Sequence, residues 1–236
     1  MISSDLWQAN QDLSIACLEH PFVEGIAQGT LPRGCFVFYV GQDAFFLRAF
    51  ARAYSIASAK APDWEGFNLF HDLTNGVLEE LQLHQNYAQI WEIDLQTTQP
   101  GVATRRYTEF LLATAWSRDI GAIAAAMTPC MRLYAFLGQK LAEPEIPNHQ
   151  YSDWIKTYSS DDFEQLAQQL EDLSNRYIVD EPQAHSLYRY AMLCEHEFFQ
   201  SAWEQEPVTS HPYGFGSCSL METTKTALPH QSPVTS

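Results

Sequence analysis

Apolar residues recur at intervals of three and four along almost the whole chain, and no stretch alternates apolar with polar residues. A sequence with that period buries one stripe per helix and has no half-buried strand to build a sheet from. The one strand-like run, "CFVFYV" from Cys35 to Val40, leads without a breaker into "GQDAFFLRAFARAYSIASAKA". The combined length favours one long helix. The period predicts helices at 3–19, 21–28, 34–60, 66–93, 104–117, 119–142, 148–158, 161–177 and 182–204. Breaks fall at "GTLPRG", "KAPDWEG", "TTQPG" and "EPEIPNH". Ser160 before Asp161 offers an N-cap, and Pro182 suits a first helical turn. The expected fold class is all-α.

With 236 residues, the chain can bury one full core but not two large ones. Residues 1–204 form the expected helical domain. Beyond Glu204, "QEPVTSHPYGFGSCSLMETTKTALPHQSPVTS" has no sustained period and is rich in Ser, Thr, Pro and Gly, so 205–236 reads as a disordered tail. Cys218 leaves the list of catalytic candidates with it.

Thirteen basic against 29 acidic residues give a net charge of −16. That excludes a uniformly basic nucleic-acid footprint and disfavours an anionic membrane surface. The first residues lack the basic and apolar regions of a signal peptide. No uninterrupted apolar run approaches the roughly 18 residues of a membrane span. Five cysteines without a C-x-x-C pair read as free thiols in a cytoplasmic chain, with neither a disulfide framework nor a zinc site.

The informative residues are ionisable groups at core phase on their helices, because burying a charge needs a reason. Asp43 shares a stripe with Tyr39, Phe46 and Phe50. Glu195 shares one with Tyr188, Ala191, Met192, Phe198, Phe199 and Ala202, whereas Glu197 has Gln200 and Ser201 one turn on and should face solvent. A glutamate in an apolar pocket is pushed toward neutrality, which suits a proton donor and acceptor. Either acid can equally be a satisfied structural group tying two helices together.

Cys130, in "AMTPCMRLY", has Ala126, Met127, Tyr134 and Leu137 on its face, and phase alone makes it a core thiol. Pro129 beside it removes the hydrogen bond to the Ala125 carbonyl and should open the helix there. Glu80 and His84 lie one turn apart and can be metal ligands or a structural pair. Tyr107, Tyr134 and Tyr158 fall near helix ends or on inward faces, as core or as pocket wall. Phosphate-binding glycine loops, a Gly-x-Ser-x-Gly elbow and a His-Glu-x-x-His motif are all absent from the sequence.

Together these pieces resemble the TenA family, the thiaminase II or aminopyrimidine aminohydrolase proteins, in its cysteine-containing branch. The resemblance is carried by "HPFVEGIAQGTLPRGCFVFYVGQDAFFLRAF", "EELQLH", "AMTPCMRLY", "YSDWIKTYSS" and "CEHEFF", in the family's order, over about residues 5 to 204. It implies a haem-oxygenase-like helical bundle that binds no haem and assembles as a homotetramer. It also implies a small-molecule substrate, with no metal or organic cofactor.

By the same resemblance Cys130 aligns with the nucleophile, Glu195 with the acid/base glutamate and Asp43 with the pyrimidine-binding aspartate. Tyr107, Tyr134 and Tyr158 match pocket tyrosines, and Glu80 and His84 stand as a supporting layer. Phe46 lies where some members carry tyrosine, so stacking replaces a polar contact. The implied reaction releases hydroxymethylpyrimidine from aminopyrimidine or from thiamin.

Two other readings stay open. One is a non-catalytic or regulatory member that holds the pyrimidine without turnover. The other is a metal-dependent oxygenase using Glu80 and His84. The last helix offers that oxygenase no histidine one turn beyond Glu195, and His196 is off phase.

Overall fold

The computed structural model describes residues 1–95 and 98–205, and for 82–84, 86 and 87 it describes the backbone alone. Among the described residues there are ten helices and no strand. They are α1 (Ile2–Gln8), α2 (Gln11–Leu18), α3 (Pro21–Gln28), α4 (Arg33–Lys60), α5 (Trp64–Ile90), α6 (Val102–Ser117), α7 (Ile120–Leu141), α8 (Ser152–Tyr158), α9 (Asp161–Tyr177) and α10 (Glu181–Glu204). "CFVFYV" lies inside α4, as its length predicted.

Local chemistry sets the boundaries. The Ser160 side chain accepts from Phe163 N at the start of α9, and Pro182 lies in the first turn of α10. Asp119 accepts from Ala122 N and caps α7. The helix expected over 3–19 is in fact two, α1 and α2. Asn10 sits buried at the break and donates its side-chain amide to the Leu6 carbonyl at 2.8 Å. That side chain satisfies a carbonyl at the end of α1, so the chain can turn where periodicity alone suggests continuity. The helix expected from 148 begins at Ser152, because His149 N donates to Ser152 Oγ at 2.7 Å and holds the preceding residues in a turn. The tail expected over 205–236 lies outside the described residues from 206 onward.

Long α4 packs along α5 and α6, while α7 packs on α9 and α10. α10 also touches α4 and α6, which closes the bundle, and α1–α3 cover its outer side. Two apolar clusters result. One gathers α1–α3, the start of α4, the end of α7, α8 and α10; the other gathers the end of α4, α5, α6, the start of α7 and α9. Cys130 packs against both clusters.

α7 has a mean hydropathy of 1.5 and is long and apolar enough to cross a membrane, yet 83% of that apolar window is buried inside the bundle. Its apolarity is used by the core. Pro129 does not interrupt it: the helix is continuous from Ile120 to Leu141, contrary to the expected opening. The missing N–H costs the helix one internal hydrogen bond. Beside it, Thr128 Oγ1 bonds the Ala124 carbonyl at 2.7 Å and lies 2.9 Å from Ser174 Oγ, anchoring α7 to α9.

Candidate active site

The two clusters meet around a cavity of about 410 Å³ walled by α4 to α10. Asp43, Phe46, Glu80, Tyr107, Cys130, Tyr134, Tyr158 and Glu195 all line it. The residues singled out in the sequence therefore converge on one chamber, although they come from six helices. His84 cannot be placed, since its side chain lies outside the described residues.

The 28-residue α4 supplies the floor. Asp43 is 7% exposed, and Phe46 stacks on Phe50 at 5.0 Å and tilts against Tyr107 at 4.9 Å. Gln42, next to Asp43, accepts from Gly101 N at 2.8 Å and from Thr104 Oγ1 at 2.7 Å, and donates to the Gln99 carbonyl. Those three bonds fix the start of α6, so that Tyr107, one turn after Thr104, enters the cavity.

α10 supplies Glu195, 2% exposed. Its Oε1 accepts from Tyr107 Oη at 2.6 Å, and its carboxyl interacts electrostatically with the Cys130 thiol. Glu197, two residues on, pairs at the surface with Arg106 at 2.6 Å, so helical phase sorted the two glutamates correctly. Burial pushes the Glu195 carboxyl up to about 7, against the pull of the Tyr107 hydrogen bond and then of the Cys130 thiol, with Asp43 adding to the rise. Burial, and then Asp43, push Glu80 up to about 8. Each acid can therefore hold or release a proton near neutrality.

Cys130 is partly exposed, toward the cavity, whereas Cys17, Cys35 and Cys194 are buried. Burial holds its thiol well above the ordinary range, and the carboxyls of Glu195, Asp43 and Glu80 hold it higher still. At rest it is a thiol, and Glu195 is the cavity carboxyl that acts on it most strongly.

The far wall is aromatic. Tyr39 Oη donates to Tyr134 Oη at 3.2 Å and accepts from Trp154 Nε1 at 3.3 Å, while Tyr134 meets Tyr158 edge-on at 4.8 Å. Such surfaces fit a flat ring with a few directed polar contacts. Sequence reasoning missed Tyr54, Phe163 and Met131, which also line the cavity, and Phe198 as a wall residue. Tyr54 continues the stripe of Asp43, Phe46 and Phe50 along α4, so extending that period by one more turn finds it. Phe163 is contributed from across the bundle and leaves no such signal. Among the described residues no group of three or more His, Cys, Asp or Glu could hold a metal ion.

Ten packed helices, seven of them walling a chamber with a thiol and carboxyls facing inward, define an all-α protein of haem-oxygenase-like fold with a small-molecule site. In keeping with that class, the structure superposes on haem oxygenase-1 of the cyanobacterium Synechocystis with a TM-score of 0.56 at 15% identity, covering 85% of this chain and 91% of that one. The likeness is greater to a TenA homologue from P. horikoshii, with a TM-score of 0.81 at 24% identity over 86% of this chain and 99% of that one.

The TENA/THI-4/PQQC family model matches residues 7–205, and the chain belongs to that family. A relative from Helicobacter pylori, named aminopyrimidine aminohydrolase, is 35% identical over 169 residues, 69% of this chain and 78% of its own length. The bifunctional TH2 protein of Arabidopsis thaliana is 38% identical over 208 residues, 77% of this chain. The match spans only 34% of that longer plant protein.

Proposed function

We propose that the protein is a hydrolase of thiamin salvage that acts on 4-amino-2-methylpyrimidines carrying a leaving group on the 5-methylene. The observation that carries this reading is that the Cys130 thiol, Glu195 and Asp43 line one chamber, with the Glu195 carboxyl acting electrostatically on the thiol. The Helicobacter pylori relative, named for that reaction, supports it.

In this reading Asp43 accepts from the 4-amino group and shares a proton with the adjacent ring nitrogen, which fixes the ring. Phe46 and the tyrosines enclose its faces. Glu195 takes the thiol proton as the Cys130 sulfur bonds to C6, and passes a proton to the ring nitrogen on which charge would otherwise build. The electron pair released by the 4-amino group expels the leaving group, whose bonding pair goes to its own nitrogen. Water then adds to the exocyclic methylene. Expulsion of the sulfur restores the aromatic ring, and the ring-nitrogen proton returns through Glu195. Aminopyrimidine plus water thus gives hydroxymethylpyrimidine plus ammonia.

The test is ammonia release from 4-amino-5-aminomethyl-2-methylpyrimidine. Cys130→Ser should lower kcat by about 10³-fold or more while binding persists. Unchanged release would remove Cys130 as nucleophile. A wild-type protein that binds the pyrimidine without turnover would be the non-catalytic member instead.

A further inference from the structure

The chamber is sealed on one side and reaches solvent on the other. Among the described residues, every one that lines it from α4, α6 and α10 is buried. Glu79 on α5, Thr157 on α8 and Asp162 on α9 also line it, and all three are exposed. The chamber therefore opens between α5 and the corner where α8 meets α9.

α5 and α9 are tied at one end and parted at the opening. Where α5 begins and α9 ends, Tyr177 Oη donates to the Asp63 carboxylate at 3.0 Å, and a Cβ on Gly66 would strike the same phenol. Farther along, Gly76 on α5 and Phe163 and Leu166 on α9 border the chamber, half-buried. A Cβ on Gly76 would meet nothing within 4 Å among the described residues.

Glycine is an unexpected choice there. Gly76 lies inside a 27-residue helix, where glycine is weaker than alanine, and its φ is not positive. Neither backbone conformation nor a close neighbour calls for it. What it does provide is width, opposite a fixed aromatic edge: Phe163 N donates to Ser160 Oγ at 3.2 Å, and the Phe163 ring meets Tyr158 edge-on at 4.9 Å.

The reaction proposed above gives that width a use. When the leaving group departs with its bonding pair, the ring is still bonded through C6 to Cys130. The leaving group must go out, and water come in, past a ring that stays. The buried side offers no exit, so the 5-methylene faces the opening. We infer that Gly76 sets the size of the 5-substituent the chamber accepts, with the leaving group lying between Gly76 and the Phe163 ring. The inference rests on the pyrimidine reading. A volume of about 410 Å³ agrees with it, being enough for a ligand well beyond one small ring. Phe163 and Leu166 make the passage apolar, which suits a bulky apolar leaving group.

The test compares kcat/KM for two substrates of the full chain. One is 4-amino-5-aminomethyl-2-methylpyrimidine, which loses ammonia; the other is its N-benzyl derivative, which loses benzylamine. The wild-type chain should turn over both. Gly76→Leu should lower the ratio of benzyl to parent substrate about 30-fold, without lowering Tm, because leucine favours a helix. Gly76→Ala adds one methyl and should raise Tm while lowering the ratio about three-fold; it decides the matter if the leucine variant does not fold. An unchanged ratio in the folded variants would overturn the inference and leave the pyrimidine reading standing. So would a wild-type chain that turns over the parent amine but not the benzyl derivative. If the wild-type chain neither binds nor turns over the parent amine, the pyrimidine reading falls and the inference with it.

Discussion

Tyr107 donates its phenol to Glu195 across 2.6 Å and so links α6 to α10 inside the chamber. That bond stabilises the ionised carboxylate, opposing burial. In the proposed reaction the active form of the Cys130–Glu195 pair holds one proton between them, because the thiol can attack only if the carboxylate is free to accept.

It follows that kcat/KM should rise with pH through an inflection near 7, the value to which Glu195 is pushed. Tyr107→Phe removes a donor to the charged form and should move the inflection to higher pH. Activity should drop about ten-fold below pH 7 and much less at pH 9. A uniform loss at every pH would reduce Tyr107 to a packing residue.

Stability should carry the opposite signature of the same carboxyl. Its folded value, about 7, lies above the ordinary 4.5 of a glutamate. The stability that depends on its proton is full below about pH 4.5 and is lost as pH rises through 7, a loss of about 3 kcal/mol. Glu195→Gln cannot ionise, and its amide oxygen can still accept from Tyr107. The variant should be inactive, and more resistant to denaturant than wild type at pH 8 but not at pH 4. Unfolding curves at the two pH values measure the difference.

Gly138 is the point where α7 passes α8. A Cβ there would fall on the carbonyl of Tyr158 and the backbone nitrogen of Ser159, neither of which can swing aside as a side-chain end could. Gly138→Ala should cost about 2–3 kcal/mol and displace Tyr158 from the chamber wall, raising KM as well as lowering Tm. A rise in KM without loss of stability would mean that α8 yields freely.

Arg132, two residues beyond Cys130, grips α9 through Glu164 and Glu171, each contact 2.8 Å long, and its side chain is 13% exposed. Arg132→Met leaves two carboxylates facing each other and should destabilise by about 2–4 kcal/mol. Arg132→Lys should rescue little, because an ammonium cannot present a planar fork to two acids at once. Chemical denaturation of the three proteins decides it.

Most of the framework was legible because its signals are local. Helical period, an N-cap at Ser160 and a proline at the head of α10 depend on residues within a turn or two. Phase also separated buried Glu195 from exposed Glu197, because each answers to its own helix. What was not legible is either a side chain's own choice of partner or a contact between residues distant in sequence. Asn10 ends α1 with its own side chain, a choice that periodicity does not register. The Tyr107–Glu195 bond spans 88 positions, and Arg132 meets acids 32 and 39 positions away. Pro129 misled for a related reason: its neighbours on α9 and α10 hold α7 continuous where the isolated segment would be expected to open.

The distance in sequence between the chamber's parts bears on how the chain matures. Its floor comes from α4, its thiol from α7 and its acid/base candidate from α10, the last of the described helices. Contacts of such high order close late, because each requires a long loop to be drawn in before it is rewarded. Made from the N-terminus onward, the chain would have its thiol in place before its proton acceptor. In the proposed reaction, chemical competence would then arrive only with the docking of α10, making turnover a readout of completed folding.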